Sequence, residues 1–392
     1  MLGYEDAIKA EGGRLDFGKL SHSDSQALEA VLPIASCCRD QVHHQLGGEF
    51  QPLRNVNVVL VDNKSVNAFA YCSEDGEEGV GINHGLYLTI LDFAQILWGH
   101  NSFLKTIAPT SDERDDLTKA SKLVKNNLSK RLRFGIVPLT SGRRERALNT
   151  ARIALEFVVL HEYGHLMRAH MPFIRSRGNL NVNAIAEVSN KLPIEFEVMQ
   201  QLETDADNFA AQVLFHGAHL VWNRSAGSRF PDRPQSQRTF RGYMAEIAIG
   251  VGLGFLSMDI GSRSPDLFPI STHPAAGVRL MNTFGEMERL ERDPTNVDYN
   301  SLRVQAYMMA LQELTHFCHL LGLSAPTIDQ DPTTIFSAAQ EASGISSRLN
   351  EKLGPFMKLR TLRDMAEIHG LSQTDCEMIA ALILSSAKDE NS

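Results

Sequence analysis

The pentapeptide His161, Glu162, Tyr163, Gly164, His165 sets two imidazoles four residues apart with a carboxylate next to the first. A helix turns about 100° per residue, so His161 and His165 project from one face roughly one turn apart, near enough to share a single cation. Glu162 projects beside them, where its carboxylate can take a proton from a water polarised by that cation. The chemistry this pattern supports is metal-assisted hydrolysis. The preceding residues, IALEFVVL, bury the helix. Two imidazoles and a carboxylate in an apolar interior need a metal or other polar partners to offset their desolvation.

Two histidines hold a metal loosely, so a third ligand must come from another element. Thirty-eight residues after His165, Glu203 opens the string ETDAD, in which Glu203 and Asp207 stand at i and i+4 on one helix face. Glu203 is assigned to the metal. Asp207 is assigned to the distal N–H of a ligand histidine, where it fixes the tautomer and raises the basicity of the ring. Asp205 points elsewhere and is read as part of a hydrated face. The mixed imidazole and carboxylate donor set suits one Zn2+ ion.

HEYGH followed by ETDAD resembles the HExxH plus ExxxD arrangement of gluzincin metallopeptidases, and the wider pattern is similar to the M48 family. VVLVDNKSVNAFAYC and GVGINHGLYLTI resemble that family's strand, Asn-Ala-Phe turn and edge strand before the active helix. THPAAGVRL resembles its later His-Pro segment, with an arginine six residues beyond the histidine. The resemblance implies that His161, His165 and Glu203 are zinc ligands, Glu162 the general base, Asp207 a support for the ligands, and His273 and Arg279 active-site supports. His273 can donate to the oxyanion that develops when water adds to a peptide carbonyl, and Arg279 can pair with a buried acid. Gly79, Val80, Gly81, Ile82 and Asn83 are expected to form an exposed edge that binds an extended peptide through its main chain. A weaker resemblance, to Lit-type phage-exclusion peptidases, rests on the HExxH motif alone.

These residues need elements to hold them. Arg152–Met167 and Glu195–Val221 read as the two motif helices, and Met171–Pro193 between them has a loop-like composition suited to lining a cleft. Asn55–Asp62 and Gly79–Ile82 read as strands separated by an exposed turn in NAFAYCSEDGEE. Leu86–Trp98 and the glycine-rich Ile247–Met258 read as core helices, and Thr110–Arg133 as a charged helix. The expected class is α+β: a predominantly helical, zincin-like metallopeptidase with a small β-sheet and additional helices at both ends. The expected division is 1–50 as a helical lead-in interrupted at Pro33, 51–285 as the metallopeptidase domain and 286–392 as a C-terminal helical region.

Thirty-eight basic against 47 acidic residues give a net charge of −9, which disfavours a nucleic-acid partner despite a basic stretch between Lys119 and Arg146. Five scattered cysteines form no disulfide framework. The opening residues lack the apolar core of a secretory signal, and no apolar run reaches the roughly 20 residues that span a bilayer. A cytoplasmic protein acting on a protein or peptide substrate, with no membrane partner, is therefore expected. The competing reading is a metal-stabilised, non-catalytic protein-binding module, which would share the three ligands and have no use for Glu162. Neither the Cys37, Cys38, His43, His44 group nor the His316, Cys318, His319 group has convincing metal-ligand spacing, and Cys72 is read as an ordinary thiol.

Overall fold

A computed structural model describes residues 4–46, 56–73, 77–99, 141–178, 184–186, 196–226, 240–262, 276–291, 297–321, 344, 348–349 and 352–358. Three helices open the chain: α1 (Tyr4–Ala10), α2 (His22–Leu28) and α3 (Val31–Leu46). Strands β1 (Asn57–Val61), β2 (Ala68–Cys72) and β3 (Glu78–Asn83) lead into α4 (His84–Gly99). Then come α5 (Ser141–Met167), α6 (His170–Gly178), β4 (Ala184–Ala186) and α7 (Phe196–Ala226). Helices α8 (Phe240–Ser262), α9 (Ala276–Glu291) and α10 (Val297–Leu321) follow. This is the α+β zincin-like arrangement, mostly helical around one small sheet.

Helix α5 is the centre. It is apolar on every side through Ala154, Leu155, Phe157, Val158, Val159 and Leu160, all fully buried, because α3, α4, α7, α8 and β2 surround it. The indole N–H of Trp98 on α4 donates to Thr150 Oγ1 on α5 at 2.8 Å, satisfying a polar atom inside this packing. Helix α8 presses closely on α5 at Gly250, where a Cβ would stand 2.5 Å from Ile153 Cγ2. Pro33 lies in the first turn of α3 rather than interrupting a helix, as its missing N–H permits.

The strand order is β1-β3-β2-β4, with β1 parallel to β3 and β2 antiparallel to both β3 and β4. The expected edge strand Gly79–Asn83 is therefore interior. The segment expected to be an exposed turn holds Ala68–Cys72, a fully buried strand that pairs with β3 from Glu78 to Ile82. Its alternation explains the misreading: Ala68, Ala70 and Cys72 face the main core, while Phe69 and Tyr71 join Tyr4, Ile8, Val59 and Val61 on the other face. With both faces covered, the strand has no polar positions to mark its period. Helix α1 supplies that second cover, and Tyr4 Oη donates to the Asn57 carbonyl at 3.0 Å. The outer strands are β1 and β4.

Met171–Pro193 also differs from expectation, since α6 occupies its first part with Met171, Phe173 and Ile174 buried and Pro172 in its first turn, and β4 occupies a later part. Among the described residues, no helix is long and apolar enough to cross a membrane. His273, the charged stretch Thr110–Arg133 and most of the expected C-terminal region beyond Leu321 lie outside the described residues.

Gly250→Ala should destabilise the fold by about 1–3 kcal/mol, because the β-branched Ile153 cannot swing its Cγ2 away without an off-rotamer side chain. Thermal or urea unfolding of the variant checks this.

Candidate metal centre

Gly164 brings the two motif helices together. A Cβ at this position would lie 3.0 Å from Ala206 Cα and 3.1 Å from Ala206 O, so the glycine of HEYGH and the small Ala206 of ETDAD let α5 and α7 approach almost backbone to backbone. Within one turn of that contact, their polar side chains meet. His161 Nε2 is 3.2 Å from Glu203 Oε2, His165 Nε2 is 3.6 Å from Glu203 Oε1, and the two Nε2 atoms are 3.1 Å apart. One ligand atom from each of the three residues lies within 4.8 Å of the others, an arrangement that can hold a divalent metal. Glu162 lies beside them on α5 and, like all three, is buried. Together they form the HExxH plus glutamate arrangement of a zincin-type metallopeptidase.

Asp207 accepts a hydrogen bond from His161 Nδ1 at 2.8 Å. The same carboxylate is gripped by Arg279 from α9, whose Nε and Nη2 donate at 2.8 and 2.7 Å. This two-toothed pairing suits a planar guanidinium, and the Arg279 cation also stands 4.8 Å over the Phe255 ring of α8. Burial would raise the Asp207 carboxyl, but Arg279 and His161 hold it below the usual carboxylate range. With Asp207 ionised, His161 carries its proton on Nδ1 and turns the lone pair of Nε2 toward Glu203 and His165.

Asp205 is not on a hydrated face. It is buried, accepts from Arg168 Nε and Nη2 at 2.7 and 3.0 Å, and lies 3.0 Å from His170 Nε2. His170 Nδ1 is 2.8 Å from His165 Nδ1. Burial would raise the Asp205 carboxyl, but His170 and Arg168 hold it low, while burial lowers the His170 imidazole despite Asp205. Arg168 and His170 were missed in the sequence because both lie beyond the HEYGH motif. The signal that could have found them is three cation-capable residues close together, His165, Arg168 and His170, opposite a run of acids.

The donor set and its charge test whether a cation fits. Among the described residues, the acids Glu162, Glu203, Asp205 and Asp207 gather beside two guanidiniums, Arg168 and Arg279, and Glu203 faces the Nε2 atoms of His161 and His165. A divalent cation suits such an acidic group, and the two lone pairs at Nε2 with the Glu203 carboxylate could give it ligands. Without it a proton takes its place. Burial opposes the charged His161 ring, yet hydrogen bonds to Asp207 and Glu203 outweigh burial and carry its pKa well above the ordinary imidazole value.

Two outcomes follow. Asp207→Ala should weaken metal binding about 10- to 100-fold, measured by chelator competition, since it releases the His161 tautomer and removes the carboxylate that Arg279 grips. The raised His161 pKa stabilises the metal-free fold fully below the ordinary imidazole value of about 6.5, and this contribution is lost as pH rises through the higher folded value. Proton and metal compete for this nitrogen, so the increase in melting temperature on adding metal should grow with pH across that interval. Calorimetric melts with and without metal at a series of pH values measure this. In comparisons with known proteins, residues 126–298 match the family model described as Peptidase U49, a span that contains HEYGH, ETDAD and Arg279. No curated protein and no solved structure matches the chain.

Proposed function

We propose that the chain is a zinc-dependent endopeptidase, with His161, His165 and Glu203 as the protein ligands of one Zn2+ and Glu162 as the general base. The observation that carries this reading is the convergence of those ligand atoms within 4.8 Å of one another in a buried cluster. The imidazole and carboxylate donors favour zinc over the harder cations that prefer all-oxygen shells. When bound, the ion supplies Lewis-acid chemistry, acidifying water and polarising the scissile carbonyl.

Glu162 then removes the proton from the attacking water and holds it for the departing amide nitrogen. Asp207 keeps His161 in the ligand tautomer while Arg279 keeps Asp207 ionised and in place. His273, six residues before Arg279, is proposed to donate to the developing oxyanion; the tether of Arg279 to Asp207 supports this by tying the start of α9 to the centre. The substrate is a protein or peptide bound in extended form. Its main chain is proposed to pair with β4, an outer strand of the sheet, in place of the interior β3. His161, Glu162, His165 and Glu203 are each at most 1% exposed, so a substrate must displace whatever covers them before hydrolysis.

Glu162→Gln should retain one metal per chain and lose at least about 100-fold in peptide hydrolysis, the range general-base catalysis contributes. Metal analysis with a peptide-library digest measures both. Full activity in the metal-loaded variant would remove Glu162 from the mechanism, and absence of any cleavage by the metal-loaded native chain would favour a non-catalytic module.

A further inference from the structure

The cluster treats its two histidines differently. His161 meets its carboxylate directly, but between His165 and Asp205 stands a third imidazole, His170, fully buried with each ring nitrogen at hydrogen-bond distance from one of them. We infer that His170 is a positioning residue, which passes the influence of Asp205 through its own ring to fix His165 as a ligand with its Nε2 lone pair toward the metal. The inference rests on the metallopeptidase reading of the same centre.

The argument is one of protons and geometry. Arg168 donates twice to Asp205, which suits an ionised carboxylate that can only accept. His170 Nε2, 3.0 Å away, must therefore carry a hydrogen. In the neutral ring that leaves a lone pair on Nδ1, and the facing His165 Nδ1 at 2.8 Å must be the donor. With its proton placed there, His165 presents an unprotonated Nε2 to Glu203 and His161. The rings of His165 and His170 stand nearly edge to face, 76° apart with centroids at 5.0 Å, which aims one nitrogen at the other instead of stacking the faces.

The backbone makes this contact possible. On a continuous helix a residue five positions after His165 would emerge about 140° round the axis and could not meet it. Helix α5 instead ends at Met167, and Ala169 turns the chain with φ of 54°, a left-handed conformation unusual for a residue with a Cβ. His170 starts α6 immediately afterwards and folds back on His165. Arg168 and His170, on either side of that turn, hold the same carboxylate and so lock it.

The test uses the full-length chain with His170→Leu, His170→Gln and Asp205→Asn, reading Zn2+ affinity by chelator competition and the visible absorption spectrum of the Co2+-loaded protein. Leucine fills the space and cannot relay; glutamine keeps an acceptor and a donor on one planar group. Zn2+ binding about 10- to 100-fold weaker in His170→Leu with an altered Co2+ spectrum, most of both restored in His170→Gln, would support the relay. Asp205→Asn, which keeps the shape of its side chain, should weaken Zn2+ binding in the same direction and decides the matter if His170→Leu does not fold. Native affinity in His170→Leu or Asp205→Asn, or equal losses in the Leu and Gln variants, would overturn the relay while leaving the metallopeptidase reading intact. Failure of the native chain to bind Zn2+ at all would overturn both.

Discussion

Ionisable groups cannot remain in a protein interior unless their charges and hydrogen bonds are matched, and the crossing of α5 and α7 concentrates four acids, two arginines and three histidines, all but the half-buried Arg168 where almost no solvent reaches. Many of the pairings are internal: Arg279 with Asp207, Arg168 with Asp205, His161 Nδ1 with Asp207, and His170 with both His165 and Asp205. The Nε2 atoms of His161 and His165 converge on Glu203, each within 3.6 Å of one of its carboxylate oxygens. A divalent cation held there would couple metal binding to the stability of this core as well as to its chemistry.

The rest of the fold can be read as what holds that crossing in place. Gly164 and Ala206 set how near the helices come. Helix α9 reaches in with Arg279, α8 supplies Phe255 beneath the guanidinium, and α6 returns His170 to the end of α5. The sheet lies against α5 and is capped on its far face by α1, so the N-terminal helices are packed into the body that carries the centre. Helix α9 likewise continues unbroken through position 285.

The parts legible in the sequence were those in which function and local period coincide. HEYGH and ETDAD declare themselves because ligand spacing and helix spacing are the same four residues, and the apolar run before His161 shows that the helix is buried. Asp205 was misread because an acid between two others usually faces water, and only the arrival of Arg168 and His170 from beyond α5 makes its burial tolerable. That arrival depends on a left-handed turn at Ala169, where no glycine or asparagine marks it. Strand β2 was hidden by burial on both faces, and losing it turned the interior β3 into an apparent edge.

The central claim is that His161, His165 and Glu203 bind one cation together. Anomalous diffraction at the zinc absorption edge from crystals of the zinc-loaded chain measures this directly. A single peak is expected about 2.0–2.2 Å from Nε2 of both histidines and from a Glu203 carboxylate oxygen. A peak elsewhere, or one from which Glu203 stands apart, would contradict the account.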